Sequence, residues 1–309
     1  MKRFAVLDRT KEPGALGEPL YLDVKALFQG QSTSPLIIGG RYGLSSKDTT
    51  PAQIVAVYDN LELNEPKNDF TIGIVDDVTF KSLSIKSEVS IVKPGTTECK
   101  FYGLGSDGTV GANKNTIKII GSHTQKYCQA YFDYDSKKSG GYTCSHLRFG
   151  DKPIKAPYLV STPDFVACHV PSYLSKYDVL KGIKEKGTLL LNSLWDEEET
   201  VKRIPDNVKA VIGKKKIKLY IINATKIAAE IGLGNRTNTI LQSAFFKITG
   251  IIPYEDAVMY MKDAIVKSYG NKGENVVHKN VGADDRGAEY PEVEIPAHWG
   301  MITAGGETP

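Results

Sequence analysis

The 309 residues contain no uninterrupted apolar run near the roughly 18 that a membrane-spanning helix needs. This predicts a soluble chain without a membrane partner. The opening MKRFAVL carries only a short apolar run, below the ~7–15 residues of a signal-peptide core, and reads as a buried strand. Cysteine is scarce. Cys99, Cys128, Cys144 and Cys168 form no C-x-x-C pair, which fits reduced thiols of the cytoplasm better than a disulfide framework or an iron-sulfur cluster. His123, His146, His169, His278 and His298 never stand three or four apart. Cys144 with His146, or Cys168 beside His169, lacks the second ligand pair of a zinc site, so no metal site is expected. An excess of one charge is lacking too. Lys plus Arg number 39 against 36 Asp plus Glu, a net +3 that gives no nucleic-acid footprint.

What is present is length and alternating pattern. A chain of this size makes one large or about two ordinary domains and buries about three quarters of its unfolded surface, so it needs no covalent staples. FAVL near Phe4, PLIIGG near Leu36 and FTIGIV near Phe70 read as strands buried on both faces, as in a parallel sheet. Between two of them TTPAQIVAVYDNL predicts a helix, capped by Thr50, with Pro51 in its first turn and Ile54, Tyr58 and Leu61 on its apolar stripe. Residues 1–65 are too few for a complete doubly wound domain and are expected to be part of a longer protein. Residues 66–95 read as a connecting segment, bracketed by NEPKNDF and VKPGTTE, with a boundary near Pro94.

From residue 96 to 290 strand and helix alternate, predicting a Rossmann-like α/β domain. CKFYG, a glycine-rich turn, NTIKIIGSHT and YCQAYFDYD follow the order of a βαβ unit. The sheet continues through FVACHV, TLLLNS and KIKLYIIN. Asp196 caps a helix with Glu197, Glu198 and Glu199 in its first turn. Two later helices show core stripes: Ile240, Leu241, Ala244, Phe245 and Ile248 before Gly250, then Val258, Met261 and Ile265 before Gly270. GKKK at 213–216 reads as a solvated connector, and residues 291–309 as a Pro- and Gly-rich tail or linker.

The sharpest motif is FYGLGSDGTVGANKNT, where Gly103, Gly105 and Gly108 form G-x-G-x-x-G after a strand and before a helix. Glycine there lets backbone amides approach a phosphate at the helix N-terminus; a tight turn without a ligand is the plainer alternative. The strand that follows delivers Asp133 and Asp135 and ends in Lys137 and Lys138. Lysines at that point favour a ribose bearing its own phosphate, as in coenzyme A or NADP, unless the pair is only a solvated turn. GLGNRTNT places Asn235, Arg236 and Thr237 before a helix, where a guanidinium and free amides could take a second phosphate, or where Thr237 acts simply as a cap. GSDG is not the G-D-G of a thiamine-diphosphate site, and SGGYTCSHLRFG lacks a G-x-S-x-G elbow.

GLGSDGTVGANKNTIKIIG, YFDYDSKKSGGYTCSHLRFG and PYLVSTPDFVACHVPSYL closely resemble the middle of the pyruvate:ferredoxin (flavodoxin) oxidoreductase family. GRYGLSSKDTTPAQIVAVYDNL and FTIGIVDDVTFKSLSI resemble the segment just upstream in the same family. The resemblance implies that residues 1–65 end a domain similar to a transketolase C-terminal domain, and that residues 96–290 are a gamma-subunit-type domain that helps bind coenzyme A. It implies coenzyme A contacts at Gly105, Asp107, Gly108, Lys137, Asn235 and Arg236, with no catalytic residue on this chain. The glycine-loop amides and Arg236 would face the pyrophosphate, Lys137 the ribose phosphate, and Asn235 a hydrogen-bonding group.

The family's thiamine diphosphate, magnesium and 4Fe-4S clusters would belong to other parts of the parent enzyme, leaving this chain inert alone. The implied partners are those remaining domains, ferredoxin or flavodoxin, and a second copy of the parent. Two other readings stand beside this one: a free-standing NADP-binding dehydrogenase domain and a structural module between domains.

Overall fold

The computed structural model describes residues 2–44, 47–135, 140–234, 236–269, 282–283 and 286–303. The chain forms two compact units, Met1–Val92 with Lys155–Leu159, and Lys93–Ile154 with Val160–Pro309. Among the described residues no helix is long and apolar enough to cross a membrane.

The first unit holds a three-stranded parallel sheet of β1 (Arg3–Asp8), β2 (Leu36–Tyr42) and β3 (Phe70–Ile72), with helices α1 (Pro19–Leu27) and α2 (Pro51–Glu62). The Asp8 carboxylate accepts hydrogen bonds from the amides of Leu20 and Tyr21 at 3.0 and 3.1 Å, fixing the start of α1. Thr50 caps α2 by accepting from the Gln53 amide, with Pro51 in the first turn. The buried face of α2 is nevertheless not the expected one. Ala52, Ala56 and Val57 are buried, while Ile54 and Tyr58 are 36% and 65% exposed and Leu61 is half-buried. Small side chains let the helix approach the sheet closely, and Gln53 lies over Gly73, where a β-carbon would come within 2.6 Å of its amide nitrogen.

The second unit is built on a seven-stranded sheet in the order β10-β9-β8-β7-β4-β6-β5. Its strands are β4 (Thr97–Leu104), β5 (Tyr127–Tyr134), β6 (Tyr142–Gly150), β7 (Phe165–Cys168), β8 (Thr188–Asn192), β9 (Lys218–Ile222) and β10 (Glu292–Val293). β4, β7, β8 and β9 run parallel, with Tyr102 opposite Cys168 in register. β6, unrecognised in the sequence, runs antiparallel between β4 and β5. Both its faces are buried although it carries Thr143, Ser145, His146 and Arg148, which is why it lacks an apolar signature. Arg148 donates from Nε to Glu98 at 2.8 Å and from Nη1 to Gln129 at 2.9 Å, and His146 Nδ1 accepts from the Val160 amide at 3.2 Å. The expected βαβ order is present, but β5 is not the neighbour of β4.

One face of this sheet packs Cys99, Phe101, Leu147 and Phe165 against α3 (Thr109–His123), α7 (Ala224–Glu230), α8 (Asn238–Thr249) and α9 (Tyr254–Tyr269). Of the predicted stripe of α8, Ile240, Leu241, Ala244 and Phe245 are buried and Ile248 is half-buried, and Gly250 closes the helix at φ +57°. In α9, Met261 and Ile265 are buried; Gly270 lies outside the described residues. The opposite face packs Tyr102, Val166 and Leu189 against α4 (Tyr173–Lys176), α6 (Asp206–Lys215) and a 3-10 helix, Ala297–Met301. Asp196 caps α5 (Glu197–Arg203) by accepting from the Glu199 amide.

The stretch after Tyr290 supplies more than an exit. β10 pairs antiparallel with β9, and Trp299 is 2% exposed within the core. Gly213, in α6 rather than in a connector, permits that return: a β-carbon there would lie 2.3 Å from the Gly300 nitrogen. Val293 and Trp299 join the same core, with Ile295 and Ile302 packed against it.

Candidate functional site at the carboxyl end of the central strands

Helix α3 follows β4 toward one edge of the sheet, whereas β7 leads through β8 to the other. The carboxyl ends of β4 and β7 therefore flank the topological switch point, where open α/β sheets place ligands. β4 leads into a loop that turns through Ser106 at φ +75° and Gly108 at φ +92°. A left-handed backbone at the second position suits glycine.

Asp107 builds the loop from inside. Its Oδ2 accepts from the Leu104 amide at 2.8 Å and its Oδ1 from the Thr109 amide at 2.7 Å. The sequence resemblance made Asp107 a contact for coenzyme A; the structure shows its carboxylate engaged in bracing the loop and capping α3. A carboxylate is stabilised there by the positive end of the helix. The next amides of α3, those of Val110 and Gly111, belong to the first turn that helix geometry leaves without intrahelical partners.

Gly105 meets the hairpin that joins β5 to β6. Its amide donates to the Gly141 carbonyl at 2.7 Å, and its own carbonyl accepts from Gly140 at 3.5 Å. The Asp135 amide donates to the Tyr142 carbonyl at 2.9 Å, closing the same hairpin. Asp135 and Gly140, which flank residues 136–139, are thus held at the glycine loop. Lys137 and Lys138 themselves lie outside the described residues.

Gly108 meets the second candidate segment. A β-carbon on Gly108 would lie 3.1 Å from Cγ of Asn238, the first residue of α8. Arg236, two residues earlier, is exposed, and its guanidinium makes no hydrogen bond to a described residue. Asn235 lies outside the described residues. The glycine loop, Gly140 and Gly141 before β6, and the start of α8 therefore adjoin one another.

Two clefts open from this junction. One, of about 380 Å³, runs between the loop, the first turn of α3, Tyr134, Asp135, Tyr142 and Thr143. The other, of about 350 Å³, lies between α3, α8 and α9 and is bordered by Gly108, Gly111, Lys114, Lys118, Asn238 and Gln242. Their charges differ: carboxylates border the first and lysines the second.

His169, at the end of β7, reaches the loop from the other side of the switch point, with Nδ1 2.8 Å from Thr109 Oγ1. Burial pushes its imidazole down to about 4, with the Asp107 charge acting in the opposite sense, so the ring is neutral at pH 7. The sequence weighed His169 only as a zinc ligand. Its contact with Thr109 depends on β4 and β7 being neighbours, which no local pattern reveals. Among the described residues no three His, Cys, Asp or Glu side chains gather to hold a metal ion. Burial pushes the thiols of Cys144 and Cys168 up to about 11 and about 12, so neither is a ready nucleophile. What remains is a cleft bordered by the first turn of α3 and by glycines without side chains.

The sequence profile described as pyruvate ferredoxin/flavodoxin oxidoreductase matches residues 98–290. The chain is 56% identical to the pyruvate:ferredoxin oxidoreductase of Moorella thermoacetica over 300 residues, 97% of this chain and 26% of that protein. It is 52% identical over 301 residues to the pyruvate-flavodoxin oxidoreductase of Enterobacter agglomerans, with the same 97% and 26% coverage. Among solved structures, pyruvate oxidoreductase subunit PORC of Thermotoga maritima matches with 25% identity and a TM-score of 0.53, over 65% of this chain and 99% of that one. The chain spans about a quarter of the length of the curated relatives it matches. By the profile match and by identity above one half to these enzymes, the chain belongs to the pyruvate ferredoxin/flavodoxin oxidoreductase family.

Proposed function

We propose that this chain is the coenzyme A-binding portion of a pyruvate:ferredoxin or pyruvate:flavodoxin oxidoreductase, the enzyme that converts pyruvate oxidatively to acetyl-CoA and CO2. The observation that carries the reading is the cleft at the α3 N-terminus, bordered by Gly105, Gly108 and Gly111, where the first turn of a helix faces a space that no glycine side chain fills. Gly105 and Gly108 admit the pyrophosphate, with Asp107 fixing the loop between them. Arg236 supplies a guanidinium to the same diphosphate, Asn235 a hydrogen bond, and Lys137 the counter-charge for the ribose 3′-phosphate.

The strand order favours coenzyme A over NADP. A dinucleotide fold reads the ribose at the end of the strand beside the first, running parallel to it. Here the strand that follows the first helix, β5, is separated from β4 by the antiparallel β6.

Pyruvate decarboxylation needs an electron sink that the side chains of this chain do not supply. Thiamine diphosphate, which supplies that sink when bound, magnesium and the 4Fe-4S clusters are held by other domains of the enzyme. GSDG at 105–108 does not fit a thiamine site. Those domains, ferredoxin or flavodoxin, and a second copy of the enzyme are the partners, in the cytoplasm. The chain alone is inert.

Calorimetric titration of the chain with coenzyme A tests the binding claim. One saturable site per chain is expected, and no heat beyond dilution would refute it. Pyruvate-dependent reduction of a viologen dye by the purified chain would refute its inertness.

A further inference from the structure

We propose that the hydroxyl of Thr143 is a ligand contact in the cleft beside Gly105, donating to a pyrophosphate oxygen of coenzyme A. The inference rests on the coenzyme A reading above and adds to it a residue that sequence did not single out. Thr143 is the second residue of β6, only 4% exposed, and borders the cleft between the loop and the first turn of α3.

Its Oγ1 has no hydrogen-bond partner among the described residues. Three other buried side-chain atoms share that condition: Gln53 Oε1, Asn113 Nδ2 and Ser145 Oγ. Gln53 lies in the first unit, and neither Asn113 nor Ser145 borders this cleft. A buried hydroxyl without a partner has surrendered its water hydrogen bonds for nothing, and valine has nearly the same shape without that loss. A threonine retained here is poised for a partner that enters from outside.

The surroundings indicate the chemistry of that partner. In register Thr143 stands between Gly103 of β4 and Tyr134 of β5, so one neighbour has no side chain. A β-carbon at Gly111, across the cleft, would have nothing within 4 Å. The amides of Val110 and Gly111 open the positive end of α3 onto the same space. A hydroxyl donor beside helix-terminal amides suits an anionic oxygen, and the staggered rotamers about Cα–Cβ let an unpartnered Oγ1 turn toward one.

The experiment is calorimetric titration of the full chain with coenzyme A and with dephospho-coenzyme A, for wild type, Thr143→Val and Thr143→Ser. Each protein is also melted without ligand. Thr143→Val is expected to bind both ligands about tenfold more weakly, with an unchanged or higher Tm. Thr143→Ser is expected to bind as wild type. If Thr143→Val binds like wild type, the inference falls and the coenzyme A reading stands. A loss of affinity accompanied by a fall in Tm of several degrees would make Thr143 structural and also overturn the inference. If wild type itself binds neither ligand, the coenzyme A reading fails and takes the inference with it.

Discussion

Gly108 and Asn238 stand so close that a β-carbon on the glycine would sit 3.1 Å from Cγ of the asparagine. The contact joins the start of α3 to the start of α8, segments 130 residues apart (238 − 108 = 130). Two helix N-termini thus open at one junction, and their aligned dipoles favour negative charge there.

Replacing Gly108 by alanine is expected to destabilise the chain by about 1–2 kcal/mol, from the left-handed backbone alone. It should also weaken coenzyme A binding at least tenfold, because Asn238 must move. Chemical denaturation and calorimetry on the same protein read both effects. Wild-type affinity in Gly108→Ala would show that the loop does not approach the ligand.

Lys137→Ala separates the ribose phosphate from the rest of coenzyme A. Wild type is expected to bind coenzyme A more tightly than dephospho-coenzyme A by about tenfold, the worth of one well-placed charged contact. In the variant the two ligands should bind alike. An unchanged preference would remove Lys137 from the site.

The buried pair of Glu98 and Arg148 makes a stability test. Glu98 Oε1 lies 2.8 Å from Arg148 Nε, both side chains are at most 2% exposed, and Thr162 donates to the other carboxylate oxygen at 3.0 Å. Glu98→Gln removes the carboxylate charge from a buried ion pair and should cost about 3–5 kcal/mol. The double replacement Glu98→Leu with Arg148→Met should cost less than either single change, and urea denaturation of the set decides it.

His146 gives a pH signature. Burial, with Lys100 and Arg148 nearby, holds its imidazole down to about 3, against 6.5 for an ordinary histidine. Between these values the unfolded chain binds a proton that the native state refuses, so stability is full above pH 6.5 and falls as pH drops toward 3. This single group contributes a slope of up to about 1.4 kcal/mol per pH unit. His146→Asn keeps an acceptor for the Val160 amide and should show a correspondingly flatter fall between pH 6.5 and 4.5 in denaturant titrations. Equal slopes would mean that His146 is protonated in the native chain.

Much of the architecture was legible where a local signal existed. Thr50, Asp196 and Gly250 mark helix ends as their chemistry requires, and the stripe of α8 is the core face expected of it. The buried strand β6 was not legible, because Thr143, Ser145, His146 and Arg148 look solvent-facing until Glu98, Gln129 and the Val160 amide arrive from distant segments. The outward turn of Ile54 and Tyr58 was hidden for a similar reason: helix rotation is set by the approach that Ala52 and Ala56 allow, not by hydrophobicity alone. At the site, the glycine loop was readable from spacing. Asp107 as a brace, His169 behind Thr109 and the partnerless Thr143 hydroxyl all depend on strand adjacency.

The central claim is that this chain binds coenzyme A at the glycine loop. The most direct measurement is the melting temperature of the 309-residue chain with coenzyme A and, separately, with NADPH. A ligand that binds only the folded state at a hundred times its dissociation constant stabilises by about 2.7 kcal/mol. Coenzyme A is expected to raise Tm increasingly with its concentration, and NADPH to leave it unchanged. A rise with NADPH and none with coenzyme A would contradict the claim.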